Sequence, residues 1–132
     1  MLIDTSAWIQ FFRQPNSKHR AFIRNLLMKQ KTIHTCPIIY QEVLQGIRHD
    51  NEFRRVQSNF STYQFLLFSD SIIAAEEAAT LYRQCRKKGI TVRKANDCLI
   101  AHYALHFNVP LLHYDSDFDQ IAKVFPLQIV SV

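Results

Sequence analysis

Short apolar runs alternate along this chain with longer stretches in which apolar residues return every three or four positions. Met1 to Asp4, Thr32 to Cys36, Gln64 to Ser69, Pro110 to Tyr114 and Leu127 to Val132 read as strands. Between them Thr5 to Arg13, Ser17 to Lys31, Pro37 to Gly46, Asn51 to Thr62, Ser71 to Lys88 and Lys94 to Phe107 read as helices, with a further short one from Phe118 to Val124. Strands that alternate with helices imply a mostly parallel sheet covered on both faces, a three-layer α/β/α sandwich. In such sheets ligands bind beyond the carboxyl ends of the strands, where strand order reverses. No repeat, low-complexity segment or linker interrupts the pattern, and only two Gly and four Pro punctuate it, so residues 1–132 are expected to form one domain.

Composition narrows the class. With 48% hydrophobic residues, ten of them Phe, the chain has the material for a core and needs no covalent staple. Cys36, Cys85 and Cys98 are odd in number and form no C-x-x-C pair, which argues against a disulfide framework and against a zinc knuckle. The opening residues lack the basic start and long apolar stretch of a signal peptide, and no uncharged run approaches the ~20 residues of a membrane span. A cytoplasmic protein is expected. Net charge is +5; with Asp4, Glu42, Asp97, Asp115 and Asp117 withdrawn into one site, sixteen basic residues against the six other acids leave +10. That surface suits a polyanion, although ordinary solubilising charge gives the same figure.

The acids themselves carry the chemistry. Asp4 ends the first apolar run where a helix begins, so it is placed both to cap that helix and to face a crevice. Glu42 lies in a short helix that starts with Pro37 and ends at Gly46, on the edge of its apolar arc beside Ile38 and Ile39. Asp97 is the most informative: helical geometry surrounds it with Ile100, Ala101, Ala104, Leu105 and Phe107, on the face that must be buried. An unpaired buried carboxylate costs several kcal/mol, so either a basic partner or a bound cation must answer it. Asp115 and Asp117 follow another apolar run, in the position of Asp4, and equally fit a turn that caps the next helix. A carboxylate-rich, all-oxygen site suits Mg²⁺ or Mn²⁺, and such ions activate water for in-line displacement at phosphorus. Phosphodiester hydrolysis is the expected reaction.

The stretches Leu2-Ile-Asp-Thr-Ser-Ala-Trp8, Tyr40-Gln-Glu-Val-Leu-Gln-Gly46, Ala95-Asn-Asp-Cys-Leu-Ile-Ala101 and Leu111-Leu-His-Tyr-Asp-Ser-Asp-Phe118 together resemble PIN-domain endoribonucleases, most closely the VapC-type toxins of type II toxin–antitoxin modules. The resemblance spans nearly the whole chain. It implies that Asp4, Glu42 and Asp97 are the core ligands of Mg²⁺ or Mn²⁺, that Asp115 completes the site, and that Thr5 and Ser6 supply supporting hydroxyls. It also implies cleavage of single-stranded or looped RNA, inhibition of translation, a homodimer and a small antitoxin partner, and with metal-bound water as nucleophile the expected products are 5′-phosphate and 3′-hydroxyl ends. One departure stands out: the family usually has Thr or Ser two residues before the fourth acid, and here that residue is His113. Whether Asp115 or Asp117 faces the metal is thereby open.

Other features compete for attention. His102 and His106 have zinc-compatible spacing, but they project about 140° and 180° away from Asp97 and cannot share its metal. They read as surface or interface histidines. Arg83, Arg86, Lys87, Lys88, Arg93 and Lys94 place six positive charges within twelve residues just before Asp97, of which Arg86 to Lys88, Arg93 and Lys94 are candidate RNA phosphate contacts. Trp8, Phe11 and Phe12 read as core or dimer surface, with an antitoxin groove as the lesser alternative. The rival from another class is a non-catalytic RNA- or partner-binding domain on the same scaffold.

Overall fold

A computed structural model describes residues 1–132. Strands β1 (Leu2–Ile3), β2 (His34–Thr35), β3 (Gln64–Phe65) and β4 (Leu111–Leu112) form one sheet in the order β3-β2-β1-β4. Every pairing is parallel. Leu2, Ile3, Leu111 and Leu112 are completely buried, as strands apolar on both faces must be when helices cover each side.

Helices α1 (Thr5–Arg13) and α2 (Lys18–Met28) link β1 to β2, and α3 (Pro37–Gln45) and α4 (Asp50–Phe60) link β2 to β3. Helices α5 (Ser71–Lys87) and α6 (Ala95–His106) then carry the chain back past β1 to β4, and α7 (Ser116–Ala122) follows. Right-handed crossovers in opposite directions place α1–α4 on one face and α5–α6 on the other. The order reverses at β1, so a crevice opens beyond the carboxyl ends of β1 and β4.

The regular strands are shorter than the apolar runs that announced them, because each run gives way early to a helix cap. Pairing nonetheless continues past their ends: the Asp4 N–H donates to the Leu112 carbonyl at 2.9 Å and the Leu66 N–H to Thr35 at 2.8 Å. The expected fifth strand from Leu127 to Val132 makes only an isolated parallel bridge, Ile129 to Leu111. The chain turns sharply at Pro126, where the Leu127 N–H donates to the Phe125 carbonyl at 2.7 Å, before it reaches the sheet edge.

Asp4, Ser17, Asp70 and Asp115 cap α1, α2, α5 and α7 with side-chain oxygens. Helices α2, α5 and α6 are followed by left-handed residues, Gln30, Gly89 and Asn108. In each, the next N–H reaches back to close the last turn, as from Ile90 to the Cys85 carbonyl at 2.9 Å. Trp8 is 1% exposed and packs against Phe11, Phe12, Phe60 and Tyr63, so the aromatic opening belongs largely to the core. No helix is long and apolar enough to cross a membrane.

Candidate active site

Asp4, Thr5, Ser6, Glu42, Lys94 and Asp97 line one cleft of about 280 Å³ at the reversal point, together with Ile9 and Gln45. Three segments converge there. Asp4 leaves β1, Glu42 lies one helical turn and more into α3 after β2, and Asp97 stands in the first turn of α6. That first turn corrects one detail of the sequence reading: Asp97 lies at the helix N-terminus, where free N–H groups favour a negative charge, and α6 buries residues on several sides around it.

Asp4 both caps and faces the cleft. Its Oδ2 accepts the Ser6 N–H at 2.8 Å and also the Ser6 hydroxyl. The same hydroxyl accepts the Tyr114 N–H at 2.9 Å, tying β1 to the loop after β4. Burial raises the Asp4 pKa, opposed by the Ser6 bonds and reinforced by Glu42. Glu42 is held from two sides, accepting the Thr5 hydroxyl at 2.5 Å on Oε2 and the Asn96 amide at 3.0 Å on Oε1.

Asp97 is 5% exposed, forms no ion pair within 4 Å, and its Oδ2 is buried with no hydrogen-bond donor. Its pKa is pushed up to about 7 by burial first and the nearby Asp4 charge second, with Lys94 pulling the other way. The buried-salt-bridge explanation of this acid therefore fails. What remains is an oxygen that lacks a cation, among other carboxylates. An all-oxygen donor set with an orphaned buried carboxylate oxygen fits a hard divalent metal.

Asp115 and Asp117 stand beside this cleft. One oxygen each of Asp97, Asp115 and Asp117 lies within 4.8 Å of the others. Asp117 is 4% exposed, and Arg93 engages both its oxygens, the backbone N–H on Oδ2 at 2.9 Å and Nε on Oδ1 at 3.0 Å. Asp115 accepts Lys94 Nζ at 2.5 Å, Arg93 Nη2 at 2.9 Å and the Asp117 N–H at 3.0 Å. Burial would raise the Asp115 pKa, but the bond from Lys94 and the capping N–H overcome it and the net shift is downward. Asp117 thus latches the loop before α6 to α7, while Asp115 reaches the cleft through Lys94.

His113 has a plain structural role. Its Nδ1 accepts the Asp115 N–H at 3.1 Å, the bond that a Ser or Thr hydroxyl makes to the residue two ahead in a turn. The imidazole replaces the missing hydroxyl as acceptor. Its ring is 8% exposed, lies against Phe118, and its pKa is lowered by burial, which keeps the accepting nitrogen unprotonated.

Of the basic residues, Arg93 and Lys94 are drawn to the site yet engaged by Asp115 and Asp117. Arg86, Lys87 and Lys88 are exposed at the end of α5 and form no ion pairs. His102 is half-buried and His106 exposed, and neither lines the carboxylate cleft. Two features escaped the sequence reading: Asn96 as the clamp on Glu42, and Lys94 as a cation inside the acid cleft. Their adjacency to Asp97 at a helix start was the available signal.

The acids gathered at the reversal point of a parallel sheet suit a nuclease, and the chain belongs to the PIN-domain family, whose model matches residues 1–124. It is 38% identical over 132 residues to Ribonuclease VapC11 of Mycobacterium tuberculosis, covering 99% of this chain and 98% of that one. The VapC ribonuclease Mb1587 of Mycobacterium bovis matches to the same extent. Among solved structures, VapBC-1 from nontypeable Haemophilus influenzae superposes with a TM-score of 0.73 at 18% identity, over 98% of this chain and 96% of that one. VapBC2 from Rickettsia felis, bound to a DNA fragment from its promoter, gives 0.72 at 17% identity with the same coverage. These two share the fold.

Proposed function

We propose that this chain is a metal-dependent endoribonuclease, the toxin of a type II toxin–antitoxin pair, which hydrolyses RNA phosphodiesters in the cleft of Asp4, Glu42 and Asp97 and thereby inhibits translation. The observation that carries the reading is Asp97: a buried carboxylate without a donor, facing other acids at the reversal point of a parallel sheet. Full-length relatives named as VapC ribonucleases at 38% identity support it.

Asp4, Glu42 and Asp97 would hold the ion, with Asp115 as the fourth acid; Asp117, fully engaged by Arg93, serves the frame. A bound Mg²⁺ or Mn²⁺ supplies a lowered pKa for the attacking water and positive charge at the phosphorus oxygens. The protein positions the carboxylates. Thr5 and Asn96 fix both oxygens of Glu42, and Ser6 fixes Asp4, so each side chain is oriented before RNA arrives. Lys94 offsets part of the acid charge and stands where a phosphate would enter. Arg86, Lys87 and Lys88 extend positive charge along the end of α5 as the outer phosphate track.

We read residues 1–132 as one such nuclease domain in the cytoplasm, with a small antitoxin protein as partner. A homodimer accounts for apolar side chains left in water, Leu67 at 62% and Ile72 at 71% exposure. The test is incubation of the purified chain with bulk RNA in Mg²⁺, Mn²⁺ or EDTA, followed by end analysis. Metal-dependent fragments with 5′-phosphate ends are expected; binding without cleavage under every condition would identify a non-catalytic RNA-binding domain instead.

A further inference from the structure

Far from the acid cleft, Glu77 on α5 meets His102 and His106 on α6. One ligand-capable atom from each lies within 4.8 Å of the other two. The histidines are four apart on one helix, and Glu77 arrives from its neighbour, so the three come from two elements that pack together. His102 begins about 7.5 Å along α6 from Asp97 and points about 140° away, which makes this cluster independent of the carboxylate cleft.

Glu77 and His102 already meet at close range. Glu77 Oε2 lies 2.7 Å from His102 Nε2, yet Nε2 has no hydrogen bond of acceptable direction and is shut off from water. The two groups thus form a close His–Glu pair whose direction is poor for a hydrogen bond. Opening this pair by about 0.6 Å would let both atoms bind one metal ion. The rings are already oriented: Phe68 stacks on His102 with centroids 4.9 Å apart and meets His106 edge-on at 5.0 Å. Glu77 has no Lys or Arg partner.

We propose that Glu77, His102 and His106 form a binding site for Zn²⁺ that bridges α5 and α6, separate from the catalytic metal. Two imidazoles and a carboxylate are a donor set that favours Zn²⁺ over Mg²⁺, and three protein ligands leave a fourth position for water. Tetrahedral coordination at about 2.0–2.1 Å places donor atoms roughly 3.3 Å apart, within reach of small torsions of the exposed Glu77 and His106 side chains.

The experiment titrates Zn²⁺ into the full chain carrying Asp4→Ala and Asp97→Asn, which disables the acid cleft, and adds Glu77→Gln or His106→Ala to it. One equivalent of Zn²⁺ is expected to bind, to raise the melting temperature, and to weaken tenfold or more with either added substitution. Ring-proton resonances of His102 and His106 should shift on zinc addition. In the otherwise unaltered chain, Glu77→Gln and His106→Ala should leave RNA cleavage in Mg²⁺ unchanged. No zinc site in the chain with the disabled cleft, or a site indifferent to both added substitutions, would overturn the proposal and leave Glu77 and His102 as a simple ion pair.

Discussion

Both the proposed chemistry and the stability of this molecule turn on Asp97. Without metal its carboxyl holds a proton to about pH 7 in the folded chain, against 3.8 ordinarily, so the folded state binds more protons between those values. Stability of the metal-free chain should therefore fall as pH rises from about 4 to 7 and level off above. Asp97→Asn removes that cost, and at pH 8 in EDTA it is expected to stabilise by on the order of 1–2 kcal/mol, after allowance for solvent screening at the cleft mouth, in a denaturant titration. The same proton competes with metal, so Mn²⁺ affinity should weaken below pH 7. His113 gives a second test. His113→Phe leaves the Asp115 N–H without its acceptor, at a cost of about 1–3 kcal/mol, whereas His113→Asn keeps an acceptor and should lose less.

Helix ends and loops position these side chains. The segment between α5 and α6 begins at Gly89, whose φ of 78° suits glycine and strains any other residue. A Cβ there would meet open space, so Gly89→Ala should cost only the backbone term, about 1 kcal/mol, readable as a lower melting temperature. Asp117→Ala should do more to activity than that, because it frees Arg93 and with it the loop that carries Lys94. How much of this was legible in the sequence depends on range. The 3.6-residue pattern placed every helix within a few residues, since periodic burial is a local signal. The strands shrank and the last became a single bridge, because strand length is decided by when the chain turns into a cap or around Pro126. Asp4, Glu42 and Asp97 were legible as acids in apolar company. The grip of Asn96 on Glu42, 54 positions away in sequence, and of Arg93 on Asp117 was not, because such bonds exist only once the loops have met.

The whole molecule combines a basic exterior with an acidic cleft. Because Arg93 and Lys94 are already engaged by acids, the α5 end is expected to dominate RNA affinity. Replacing Arg86, Lys87 and Lys88 together by Ala should weaken RNA binding and flatten its salt dependence by about 0.7 in logarithmic slope for each phosphate no longer neutralised, as read by titrations across salt concentrations. The fold contributes the rest by bringing Asp4, Glu42 and Asp97, far apart in sequence, to one cleft. The decisive measurement pairs Mn²⁺ binding with RNA cleavage in the wild-type chain, Asp4→Ala and Asp97→Asn. Loss of metal affinity together with a fall in cleavage of at least about 10²-fold is expected for both variants. Undiminished cleavage by either, or cleavage that persists in EDTA, would contradict the assignment of Asp4 and Asp97 to a metal-dependent active site.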